Sequence, residues 1–260
     1  MARAIEQIER DIAALSEAVK AIAAELGSVY TSYLIALGQA VRAQLILASY
    51  QICTQGYPKQ FLSLSVSQRQ QLQQAISKLG KNAAEQLINQ LKSKAEEAEG
   101  ERDNSEFLSA CPSNPIELVQ WQYNLEQAIA HTLKTLSLET NRLLQQAGIL
   151  SQKLPSPLLE AATAAPDAAE IAVGAPNLMN LLIETENPTD SEESSMTQLI
   201  AIQLRLSEIE FTDANMRAAR NQIRQLENRV NLLGREYQKK QRERTIAEAE
   251  AAWRSSWFEE

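Results

Sequence analysis

From Ile5 onward, apolar residues fall at Ile8, Ile12, Leu15, Val19, Ile22, Leu26, Val29 and Tyr33, in alternating three- and four-residue steps without a break. Only a helix brings such positions onto one stripe, and a stripe this regular is the seam of a coiled coil, which a second helix must cover. Glu6, Glu9, Arg10, Asp11, Glu17, Lys20 and Glu25 all lie off it.

The same helix then changes character. From Leu26 to Pro58, Arg42 is the sole charged side chain in a protein that is 22% charged, so this stretch needs cover on most sides. Tyr30, Leu34, Leu37, Val41, Leu45 and Ala48 repeat at helical spacing, while Tyr33, Leu47, Tyr50 and Ile52 spread apolar surface over other faces. The pattern predicts a central helix packed by several neighbours. Polar residues such as Ser32, Gln39, Gln44 and Gln51 interrupt it too often for a membrane span of about 20 apolar residues. Gly27 and Gly38 each cost about 1 kcal/mol inside a helix and permit a bend or a close helix approach. Tyr57-Pro58 ends the helix.

A capping box, Ser65-Val66-Ser67-Gln68, opens a second helix with Leu72, Ile76, Leu79, Ala83, Leu87, Ile88 and Leu91 on one stripe. Ser113-Asn114-Pro115 starts a third, since proline at the first helical position gives up an N–H that has no partner there. Its stripe runs through Leu118, Trp121, Leu125, Ile129, Thr132 or Leu133, Leu136, Leu143, Ala147 and Leu150, and Pro155 and Pro157 stop it. Residues 155-195 are rich in Ala, Pro and acidic side chains and read as a linker, the part most open to protease. Inside it, 177-186 has the spacing of a short amphipathic helix through Leu178, Leu181 and Leu182. From Met196 a long helix is expected. Leu199, Ile202, Leu206, Ile209, Asp213 and Met216 follow one heptad register, and Ala219, Ile223, Leu226, Val230, Leu233 and Tyr237 another, with a stammer between them.

Composition agrees with helices throughout. Gly and Pro number 8 each and aromatics are 5%, too few turn formers for a sheet protein of 260 residues. The fold class expected is all-α, an elongated antiparallel bundle of long helices with coiled-coil character. Its parts are a three-helix region over 1-154, the linker 155-195, and a coiled-coil helix over 196-260 packing back on the bundle through the N-terminal seam.

The net charge of -8 argues against broad nucleic-acid affinity. Cys53 and Cys111 match no metal-ligand spacing and, with an N-terminus unlike a signal peptide, point to reduced thiols and a cytoplasmic location. His131, the single histidine, has no carboxylate three or four residues away and reads as a surface or packing residue. Phosphate-binding glycine loops are absent from the sequence. No metal, cofactor, small-molecule substrate or enzymatic activity is expected.

Two charges fall where helices should be buried. Arg42 and Asp213 are register-setting candidates, unless a long stem or a local kink lets each reach water. Arg217, Arg220, Arg224, Arg235, Lys239 and Arg242 form a basic stripe opposite Ile223, Leu226, Val230 and Leu233. That stripe is either a solvated face or a binding surface for an acidic partner. Trp253 and Trp257 lie four residues apart on one helical face, where they dock on the chain's own bundle or anchor a partner. The function these residues suggest is a structural or adaptor coiled-coil protein, a scaffold acting through protein-protein interaction or self-association as a homo-oligomer. The alternative is a peripheral helical protein that binds an anionic membrane surface or nucleic acid through the basic stripe.

Overall fold

The structure, a computed structural model, describes residues 2–92, 112, 114–151, 175–185 and 195–257. Among the described residues the protein is all-α apart from one small hairpin. Its elements are α1 (Ala2–Gln51), a π-helical turn (Ile52–Gly56), α2 (Pro58–Ser63), α3 (Val66–Lys92), α4 (Pro115–Gln146), β1 (Leu178–Thr185), β2 (Ser195–Ile202), α5 (Leu206–Phe211) and α6 (Ala214–Ser256). The chain divides into two compact units. Unit 1 comprises Met1–Tyr33, Gln90–Gln127 and Ala218–Glu260; unit 2 comprises Leu34–Asn89 and Ala128–Arg217.

In unit 1, α1 and α6 run antiparallel. Asp11 pairs with Lys240 at 3.0 Å and Glu25 with Arg229 at 3.6 Å, so numbers rise along one helix as they fall along the other. Between these rims, Ile12, Val19, Ile22 and Leu26 of α1 and Ile223, Leu226 and Val230 of α6 are buried, with Leu118 and Leu125 of α4. The two regular stripes of the sequence therefore do meet each other.

In unit 2, Leu34, Leu37, Val41, Leu45 and Ala48 of α1 are buried, as the charge-poor pattern predicts. Gly38 permits a close helix approach: a Cβ built there would lie 3.0 Å from the Ala84 Cβ of α3. The cover is not complete, however. Leu47 and Tyr50 are exposed, Tyr50 at 59%. The capping box forms as expected, with the Ser65 N–H donating to Gln68 Oε1 at 2.8 Å and the Gln68 N–H to Ser65 Oγ at 3.2 Å. At α4, Asn114 Oδ1 accepts the Ile116 N–H at 3.0 Å ahead of the first turn.

Three expectations are corrected. α4 stops at Gln146, not at the prolines, because Gly148 adopts φ 77° and the Ile149 N–H bonds back to the Leu144 carbonyl at 2.9 Å, the closing bond of a Schellman cap. The 177-186 stretch is strand β1, not a helix, and the expected helix over 196-260 begins only at Ala214, its first residues forming β2. The two strands pair antiparallel from Leu178↔Ile202 to Thr185↔Ser195. The 3,4 spacing of Leu199, Ile202, Leu206 and Ile209 misleads because it straddles a strand, an extended link and the short α5. The remainder of the expected linker, 155–174 and 186–194, and the expected partner-free thiol Cys111 lie outside the described residues.

Candidate functional site

Three side-chain assemblies stand out. The first is a buried polar lock in unit 1. Tyr30 and Tyr33 are one turn apart on α1 and fully buried, and Glu126 reaches them from α4. The Tyr30 hydroxyl donates to Glu126 Oε1 at 2.7 Å, the Arg220 guanidinium of α6 bonds the same oxygen, and Arg220 Nη2 donates to the Tyr33 hydroxyl at 2.6 Å. The Arg220 Cζ also lies 4.6 Å from the Tyr33 ring centre, and Trp121 stands edge-on to Tyr30 at 5.7 Å. Burial, and secondly the Glu126 charge, push the Tyr30 hydroxyl well above its ordinary pKa, so it stays a donor. One carboxylate thus holds three helices through groups that need each other.

This corrects the basic stripe: Arg220 is 9% exposed and belongs to the core. Its sequence signal was the step of four from Met216 and of three to Ile223, both buried, which puts Arg220 in the seam in place of Ala219. Glu126 was missed altogether, because its partners are far away in the sequence.

The second assembly clamps the hairpin in unit 2. Alternate residues of an antiparallel strand turn both backbone groups to one side. For Ile202 that side meets Asn141 of α4, whose Nδ2 donates to the Ile202 carbonyl at 2.8 Å and whose Oδ1 accepts the Ile202 N–H at 2.9 Å. For Ile200 it meets the Tyr57 hydroxyl, which accepts the N–H at 2.9 Å and donates to the carbonyl at 3.3 Å. Ser137 Oγ accepts the Leu204 N–H at 2.9 Å. At the base, Asn177 takes φ 61°, which asparagine tolerates, and its Oδ1 accepts the Arg205 N–H at 3.0 Å while its Nδ2 donates to Gln44 at 3.2 Å. Side chains of α4 and of Tyr57, between the π-helical turn and α2, here do the work of a third strand.

The third is the outward face of α6. Arg224, Arg235, Lys239 and Arg242 are exposed and make no ion pair among the described residues. Arg217, in unit 2, is exposed and stacks on the Phe211 ring at 5.4 Å. Trp253 and Trp257 are 67% and 66% exposed with ring centres 5.8 Å apart, so they touch each other and, among the described residues, leave most of their surface uncovered.

The two register-setting candidates resolve otherwise. Arg42 is exposed, its stem lying over Gly80 of α3, where a Cβ would meet its Cγ at 3.3 Å. Asp213 is not in a seam: it caps α6, its Oδ1 accepting the Asn215 N–H at 2.7 Å. His131 is exposed on α4, with Thr135 Oγ1 3.5 Å from its Nε2. Cys53 is a free, buried thiol whose pKa burial pushes up to about 11. Among the described residues no group of three or more His, Cys, Asp or Glu is placed to hold a metal ion, and no helix is long and apolar enough to cross a membrane. No protein-family model, characterised protein or solved structure matches the chain.

Proposed function

We propose that this is a non-enzymatic structural or adaptor protein of coiled-coil character that works in the cytoplasm by protein-protein contact or self-association. The observation that carries the reading is the exposure of Trp253 and Trp257, two large apolar rings left in water on a helix whose other face is packed. Tryptophan so placed is favoured at interface hot spots. Exposed apolar positions elsewhere add to it: Ile116, Val119 and Tyr123 follow helical spacing on α4, and Ile46, Leu47 and Tyr50 cluster on α1. The buried, reduced Cys53 supports the location.

A second reading, binding to an anionic membrane surface or nucleic acid, is favoured by the exposed cations Arg224, Arg235, Lys239 and Arg242, which make no ion pair among the described residues. Salt separates the two. Association with protein, measured by light scattering of the full chain, should persist at high ionic strength, whereas binding to anionic vesicles or DNA should fall steeply. A monodisperse single-chain mass together with salt-sensitive capture by vesicles or DNA would replace the first reading by the second.

A further inference from the structure

The basic stripe and the tryptophans are one surface. At 100° per residue, Arg235, Lys239, Arg242, Ile246, Glu250 and Trp253 fall within an arc of about 80° on α6, and Trp257, the residue just past its end, falls in the same arc when the helix is continued by one step. All of them are exposed, Ile246 at 49%. The side of α6 facing α1 is a different one, marked by Val230 and Lys240.

This face is self-complementary about Ile246. Residues four, seven and eleven places before it are Arg242, Lys239 and Arg235; those four, seven and eleven places after it are Glu250, Trp253 and Trp257. Those offsets are the steps at which a helix returns to the same face. When a second copy of the helix lies antiparallel across a twofold axis through Ile246, every layer therefore matches. Ile246 meets Ile246, Arg242 meets Glu250, Lys239 meets Trp253, and Arg235 meets Trp257. Two layers are cation–π contacts and one is an ion pair, each occurring twice by symmetry. A parallel pair would instead place Arg235, Lys239 and Arg242 against themselves. Among the described residues Glu250 makes one long contact, to Arg254 at 3.8 Å between groups that are both more than half exposed, so it can turn to a partner.

We propose that the outward face of α6 from Arg235 to Trp257 is an isologous dimer interface, occupied by the same face of a second copy in the antiparallel register centred on Ile246. This rests on the association reading above and names its partner. The contact is about 33 Å long and one helix wide. It belongs to the small class of interfaces, so the dimer forms and dissociates with concentration.

Sedimentation equilibrium of the full chain tests it through a charge swap. Wild type should move from one to two chain masses as concentration rises. Arg242→Glu puts two carboxylates opposite each other in two layers, and Glu250→Arg puts two cations there; each should weaken the dimer by about tenfold or more. Arg242→Glu with Glu250→Arg in the same chain restores every layer and should return the affinity to within about threefold of wild type. Circular dichroism verifies that each variant is folded. On a Cys111→Ser background, Ile246→Cys should oxidise to a covalent dimer, because this register brings the residue against itself.

Failure of the double variant to recover, or absence of the crosslink, overturns the register. A dimer indifferent to every one of these changes also overturns it, while leaving self-association through another surface. A single-chain mass at all concentrations overturns the dimer but leaves a different protein partner open. If the chain stays single while vesicles of phosphatidylserine and phosphatidylcholine shield Trp253 and Trp257, the face belongs to anionic lipid and the proposal is wrong.

Discussion

The two units bury polar groups by opposite strategies. Unit 1 uses a charge and its countercharge: Arg220, Glu126 and two tyrosine hydroxyls are held by one another, side chain to side chain. Unit 2 clamps its strand with neutral amides and hydroxyls that spend their hydrogen bonds on backbone, and a carboxylate, Glu208, enters only at the hairpin base, where it accepts the Asn177 N–H. The first arrangement ties helices together and depends on every member being present. The second makes a two-stranded sheet tenable beside helices by occupying the edge that another strand would fill. It follows that single changes should be felt most in unit 1, where removing one partner strands a charge.

Glu126→Ala makes the sharpest break, because Arg220 is then buried without its carboxylate. We expect a loss of about 3 kcal/mol in urea unfolding, below the upper range for fully buried pairs because Glu126 keeps some solvent contact. Adding Arg220→Met should recover most of it; no recovery would mean the loss came from packing and not from the stranded charge.

Asn141→Ala tests the other strategy. It leaves the Ile202 N–H and carbonyl buried and unbonded, which costs about 2 kcal/mol. Amide exchange at Ile202 and Leu204 should quicken while exchange at Val230 in unit 1 does not. Equal acceleration at both places would show that the clamp is not local to the hairpin.

A smaller effect comes from Cys53 in unit 2. Its pKa is raised in the folded protein, so folding favours the protonated thiol. The contribution is intact below the ordinary thiol pKa of about 9 and is lost as pH rises through about 11, so it is felt only in the alkaline range. Cys53→Ala should flatten that alkaline limb of the stability curve; identical limbs would show that the thiol is not held protonated by the fold.

Smallest of all is the rim pair of unit 1. Lys240 lowers the pKa of Asp11, so that side of the pair's contribution is present above the ordinary aspartate range and lost as pH falls through the lowered value. Asp11 and then Glu243 raise Lys240, whose side is lost only as pH climbs through the raised value. Both groups are solvated, and Asp11→Asn should shift the melting temperature barely at low salt and not at all at high salt. A shift that survives high salt would mean the pair is more enclosed than its geometry implies.

What was legible in the sequence follows from the same contrast. Helical stripes repeat, so Tyr30, Leu34, Leu37, Val41, Leu45 and Ala48 could be named as core from spacing alone, and so could the antiparallel meeting of the first seam with the second half of the last, from Ile223 on. The capping box at Ser65 and the proline start at Pro115 are local signals and were equally plain. The hairpin was not, because its strands are held by Tyr57, Ser137 and Asn141, which are remote in sequence and carry no pattern. Arg220 failed for a related reason: its step from Met216 and to Ile223 marks the seam, but on a helix wheel it borders the exposed arginines, and its partners Glu126 and Tyr33 lie on other helices. Self-complementarity about Ile246 was present in the residue order. It became meaningful once the structure showed Trp253 and Trp257 to be exposed.

The central claim is that the outward face of α6 is covered by association. Collisional quenching of tryptophan fluorescence by acrylamide, on the full chain at rising concentration, tests it most directly. Trp253 and Trp257 are two of the three tryptophans, and Trp121 in the lock supplies a steady background. Quenching should be strong in dilute solution and fall markedly over the concentration range in which the mass doubles. Mass that doubles while quenching stays constant, or quenching and mass that both stay constant, would contradict it.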